Sequence, residues 1–228
     1  MLRAVWIGIL GPALVLAAGG DLQAVLARMD QASATLKDLS ADLSRTHHLG
    51  LLDENTEDSG VIYIKRPKPH ELLMRVDIQM PAADAKEVAI DARQAEVYYP
   101  KSQIVQIYEI GKYKKVADQL LLLGFGTTSK DLAQGYTVSL GGPETVNGQK
   151  TARLELTPKA DELHLQRVDL WISDATGLPV QQKLYWPGAN GGDYDLAIYR
   201  NVKINPNLPN SAFKLNLPPG VKREYPQK

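Results

Sequence analysis

The 228-residue sequence contains no cysteine. That absence excludes disulfide staples, a thiolate nucleophile, cysteine metal ligands and a lipid attached to an N-terminal cysteine, so stability has to come from a packed core. An excess of one charge is missing too: 26 Lys and Arg balance 26 Asp and Glu. That balance does not indicate a surface for a polyanion, and no nucleic-acid partner is expected. Internal repeats, linkers and low-complexity tracts are absent. So are the Gly-x-Ser-x-Gly elbow, the phosphate-binding loop and the His-Glu-x-x-His helix.

Long hydrophobic runs are scarce. A single Arg3 precedes one uncharged apolar stretch, Ala4 to Ala18, which small residues and then Asp21 follow. Roughly 15 apolar residues fall short of the ~20 that cross a bilayer core. The pattern is that of a secretory signal cut after Gly19 or Gly20. Residues 1–20 are therefore expected to be a signal peptide, and 21–228 a single periplasmic domain, large enough to build its own core.

What is present is periodicity. Leu22, Val25, Leu26, Met29, Ala32 and Leu36 recur at three and four, predicting an amphipathic helix over Asp21–Lys37 with Asp21 as its cap. From Leu39 the period changes to two. Strands are predicted at Gly60–Arg66, Glu71–Gln79, Lys86–Asp91, Ala95–Tyr99, Ile104–Ile110, Tyr136–Leu140, Thr151–Leu156, Leu165–Ile172, Pro179–Trp186 and Tyr194–Val202. A last edge strand is expected near Phe213–Gly220. Asn147-Gly148 and Thr176-Gly177 are turn pairs, and Gly141-Gly142-Pro143 reads as another turn. The polar run Asp53–Ser59 reads as a solvated hairpin loop, since it lacks the Gly and Glu of a calcium loop.

Helical spacing returns in Tyr113–Gly126, where Leu120, Leu121 and Leu123 leave leucine on every side of the helix, and a short helix capped by Ser129 is predicted over Ser129–Gln134. About eleven strands with these helices describe a mainly β, α+β fold: a strongly curved antiparallel sheet, an incomplete β-barrel, under a helical lid. Leu72, Met74, Val76 and Ile78 make one face of a strand wholly apolar.

No catalytic residue, metal ligand set or cofactor site is expected, and the chain does not read as an enzyme. His47 and His48 are neighbours on a strand and point to opposite faces, so they cannot share a metal; His70 and His164 fall at strand edges or loops. Asp193 and Asp195 share a strand face without a partner acid.

The blocks Gly60-Val61-Ile62-Tyr63-Ile64-Lys65-Arg66-Pro67, Leu72-Leu73-Met74-Arg75, Val97-Tyr98-Tyr99-Pro100, Leu154-Glu155-Leu156-Thr157-Pro158 and Asp174-x-x-Gly177-Leu178-Pro179, in that order, resemble the periplasmic lipoprotein carriers related to LolA. The resemblance runs from Leu22 to Gly220, with Tyr where those carriers typically have Trp. It implies a half-barrel whose apolar cavity shields the acyl chains of a lipoprotein or another lipid on the way to the outer membrane. The implied partners are an inner-membrane exporter and an outer-membrane acceptor, and the implied state is a monomer. A lipid- or lipoprotein-sensing regulator of the same fold is the alternative. Arg66 matches the arginine that latches the lid in such carriers. Val25, Met29, Leu72, Met74, Val76, Ile78, Leu120, Leu121 and Leu123 are the candidate cavity residues.

Overall fold

A computed structural model describes residues 21–67, 71–110, 123–160 and 164–227. The expected signal peptide, His70 and most of the leucine-rich helix, including Leu120 and Leu121, lie outside the described residues.

The first helix, α1, spans Leu22–Thr35. The Asp21 carboxylate accepts from the Gln23 N–H at 3.1 Å, satisfying one of the unpaired first-turn donors. One turn apart, Val25 and Met29 are its buried residues. Leu36 then turns extended, and strand β1 (Asp38–Leu49) begins.

Strand β2 (Glu54–Lys65) pairs with β1 along its whole length, from Asp38↔Lys65 to Leu49↔Glu54. This corrects the expected loop at Asp53–Ser59. The turn is Gly50–Asp53, with Asp53 in the left-handed region at φ 54, and Glu54–Ser59 belongs to the ladder. Backbone pairing does not depend on side-chain polarity, so a strand that runs past the apolar core keeps its hydrogen bonds while its composition turns polar.

Strands β3 (Leu73–Met80), β4 (Lys86–Ile90), β5 (Gln94–Tyr99) and β6 (Ile104–Glu109) continue as a meander. Helix α2 (Ser129–Gly135) comes next, then β7 (Tyr136–Val146), β8 (Gln149–Pro158), β9 (Arg167–Ser173), β10 (Pro179–Tyr185), β11 (Tyr194–Ile204) and β12 (Lys222–Glu224). The cap of α2 is Thr128, one residue before the expected Ser129: its hydroxyl accepts from the Asp131 N–H at 3.1 Å while Asp131 reaches back to Thr128, a capping box.

All twelve strands form one sheet, ordered β12-β6-β5-β4-β3-β2-β1-β11-β10-β9-β8-β7. Every neighbouring pair is antiparallel except β12 on β6. The sheet is curved and unclosed, with helices on one face.

Two further expectations are corrected. Gly141-Gly142-Pro143 is a bulge inside β7, not a turn; the register slips between Leu140 and Gly142, which sits at φ 109, and the reversal comes at Asn147-Gly148 with φ of 49 and 77. Phe213–Gly220 is not the edge strand. Phe213 ends a single 3-10 turn, and Leu215, Leu217 and Val221 pack as coil against Tyr98, Val105 and Ile107. The edge strand is Lys222–Glu224, whose charged residues carry no hydrophobic signal.

Candidate functional site

Cross-strand partners share a sheet face, so the register divides every side chain between two faces. The inner face is the one that meets the helices, since Leu36 and Phe125 pack there on Leu39, Ala41, Leu43, Ile62, Ile64, Leu72, Met74, Ile78, Leu178 and Tyr199. A second cluster joins Val25, Met29, Leu123 and Leu132 to Leu154, Leu156, Val168, Leu170 and Ile172 on the other arm. The candidate residues thus separate: Val25, Met29 and Leu123 sit in one cluster, Leu72, Met74 and Ile78 in the other. Each of these six is at most 4% exposed, packed against neighbours, and only Val76 is partly exposed.

The same inner face continues onto β4, β5 and β6. Met74↔Ile90 and Val76↔Val88 carry it to β4, Ile90↔Ala95 and Val88↔Val97 to β5, and Ala95↔Tyr108 and Tyr99↔Ile104 to β6. Val88, Ile90, Ala95, Val97, Tyr99, Ile104 and Tyr108 are all half-buried, unlike the buried rows of β1 to β3. Sequence reading missed these residues. Its only signal was the alternation of their strands, and β5 carries apolar side chains on both faces, with Tyr98 buried on the outer one.

The lid segment is tied to α1 and to the end of β2. The Arg66 guanidinium donates to the Gly126 carbonyl and, at 3.3 Å, to the Ser33 hydroxyl. Ser33 in turn donates to the same carbonyl at 2.7 Å. Gly126 lies at φ +76, a conformation that favours glycine, and a Cβ there would displace the Arg66 guanidinium. Burial pulls the Arg66 pKa down, which Asp131 opposes. Asp30 of α1 accepts from both the backbone N–H and the hydroxyl of Ser129, each at 2.6 Å. Phe125 meets Tyr199 edge to face, with ring centroids 4.8 Å apart at 87°. On its other flank α1 is braced by the Arg28–Asp174 ion pair at 3.0 Å and by Gly177, whose missing Cβ makes room for the Arg28 carbonyl.

Toward the hairpin end of β1 the inner row becomes polar. Arg45 makes a two-point ion pair with Asp58, at 2.8 and 2.5 Å, and His47 Nδ1 lies 2.6 Å from Asp195. His48, on the opposite face, stacks on Tyr194 with centroids 4.6 Å apart. Asp193 lies just before β11 and accepts from the Gly50 N–H, so it does not share a strand face with Asp195. Among the described residues no group of three His, Asp or Glu is placed to hold a metal ion.

No protein-family model matches the sequence, and neither does any curated protein. Solved structures do match. An uncharacterized conserved protein from Thermus thermophilus superposes with a TM-score of 0.56 at 14% identity, covering 89% of this chain and 98% of its own. MucB superposes at 0.53 and 16% identity over 86% of this chain, which spans only 64% of the MucB chain. A DUF1329 family protein from Desulfovibrio piger superposes at 0.50 and 16% identity, covering 83% of this chain and 94% of its own. The chain therefore shares the fold of these proteins, a curved unclosed sheet with a helical cover.

Proposed function

We propose that this protein is a periplasmic carrier that holds the acyl chains of a lipoprotein or another lipid against the inner face of its sheet and delivers them toward the outer membrane. The observation that carries the reading is the inner face itself. It is apolar from β1 to β5 and continues onto β6 with Ile104 and Tyr108 on either side of Gln106, yet it is close-packed only as far as β3. An acyl chain laid over Val76, Val88, Val97 and Ile104 would bury apolar surface at ~0.8 kcal/mol per methylene. The candidates Met74 and Ile78 flank that strip, whereas Val25, Met29 and Leu123 form the floor on which the lid turns. Arg66 is the latch: it holds the Gly126 carbonyl and the Ser33 hydroxyl together, a small hydrogen-bonded contact that can open without unfolding either arm.

A cleaved signal ending near Gly20 would put the chain in the periplasm. There an inner-membrane exporter would load it, and an outer-membrane acceptor would unload it. Native mass spectrometry of the protein from a periplasmic extract tests this: co-purifying lipid or lipopeptide is the expected outcome. A protein that arrives lipid-free and binds no added acyl chain would overturn it.

A further inference from the structure

The inner face changes character toward the same end of several strands, in a row staggered by a step from one strand to the next. On β1 it runs Leu39, Ala41, Leu43 and then Arg45, His47; on β2 Ile64, Ile62 and then Asp58, Thr56. On β11 it runs Tyr199, Ala197 and then Asp195, and on β4 Ile90, Val88 and then Lys86. At roughly 6.6 Å for every two residues, the apolar strip stops about one strand step short of the charged row. A cleft of about 390 Å³ opens at that boundary, lined by Arg45, His47, Asp58, Asp84, Lys86 and Asp195, and by Glu57, whose position in the register turns its side chain to the opposite face of β2.

The charges in this cleft are not equivalent. Arg45 is consumed by Asp58, and His47 by Asp195. No ion pair or hydrogen bond joins the side chain of Lys86 or Asp84 to another described residue. One ammonium and one carboxylate therefore face the same cleft without partners among the described residues, with hydrogen-bonding groups between them.

Resting on the carrier reading, we infer that this cleft receives the polar head of the amphiphile whose chains lie on the adjoining strip, and that the head is zwitterionic: a phosphate on Lys86 and an ammonium toward Asp84. A head of one sign would meet repulsion from half of the cleft. An uncharged head would leave Lys86 unpaired and partly buried.

The test measures binding of three dihexanoyl lipids to the purified protein, bearing phosphoethanolamine, phosphoglycerol or no head beyond glycerol. The phosphoethanolamine lipid should bind about tenfold more tightly than the neutral one. Lys86→Gln should erase that margin, and Asp84→Asn should shift preference toward phosphoglycerol, with both variants retaining the wild-type circular dichroism spectrum. Equal binding of all three heads, or a Lys86→Gln protein that keeps the margin, overturns the head assignment while leaving the carrier reading intact. Failure of every dihexanoyl lipid to bind overturns both. Free phosphoethanolamine competing as strongly as its lipid would also overturn the inference, because head and chain would then not be read together.

Discussion

Arg66, the first residue after β2, donates to the carbonyl of Gly126, which the Ser33 hydroxyl also engages. The two donors make this contact separable from the fold. In Arg66→Leu the carbonyl keeps Ser33 as partner, so the loss is that of the guanidinium's bonds to Gly126 and Ser33, about 1.5–3 kcal/mol, and the protein stays folded. Release of a bound acyl-chain probe should accelerate by roughly tenfold to a hundredfold. Gly126→Ala should act in the same direction by displacing the guanidinium, with little added effect in the double variant. Unaltered release from Arg66→Leu would show that the contact is structural only.

Phe125 is 1% exposed and joins the lid segment to the sheet through Tyr199. Phe125→Ala should cost about 3–5 kcal/mol, from the lost transfer energy and the cavity left behind. For a domain of this size the melting temperature should fall by on the order of 10 °C. A fall of only a degree or two, read by calorimetry, would mean that Phe125 is not part of the cooperative core.

Tyr199 sets an alkaline limit. Burial pushes its phenol far above the usual tyrosine range, which Arg45 only partly offsets, and its hydroxyl donates to Gln182 at 3.3 Å. Below about pH 10 the phenol is protonated whether the chain is folded or not, so its contribution is constant. Above that, the unfolded chain releases the proton while the folded one holds it, and stability falls by up to about 1.4 kcal/mol per pH unit. Tyr136 and Tyr185, also raised by burial, add to the decline. Urea titrations between pH 9 and 11 should show a shallower slope for Tyr199→Phe; identical slopes would refute this assignment.

What could be read from the sequence was whatever depends on near neighbours. The α1 stripe and its Asp21 cap follow from side chains three and four apart, and the strict alternation Leu72-Met74-Val76-Ile78 marks its face without knowledge of any partner strand. The rest depends on pairing. Glu54–Ser59 is a strand because β1 lies beside it; Arg45 supplies the partner that Asp58 needs on an inward face. Lys222–Glu224 is a strand only because β6 leaves an edge there. Val88, Val97 and Ile104 could not be assigned to the inner face until the register placed them opposite Val76 and its neighbours. Arg66 was found through its place before Pro67, but its partner Gly126 is 60 residues away.

A sheet that never closes has two free edges, each a template on which another chain can pair and begin to aggregate. Here one edge is β12, three residues long and carrying Lys222 and Arg223, and the other is β7, broken by the Gly141-Gly142 bulge and by Pro143. Charge, brevity, a kink and a missing N–H are the devices that make such edges poor templates. The openness that leaves the inner face accessible is thus kept from becoming a route to fibrils. Straightening β7, by replacing Gly142 and Pro143 with β-branched residues, would remove that protection at the edge where it rests on backbone shape alone.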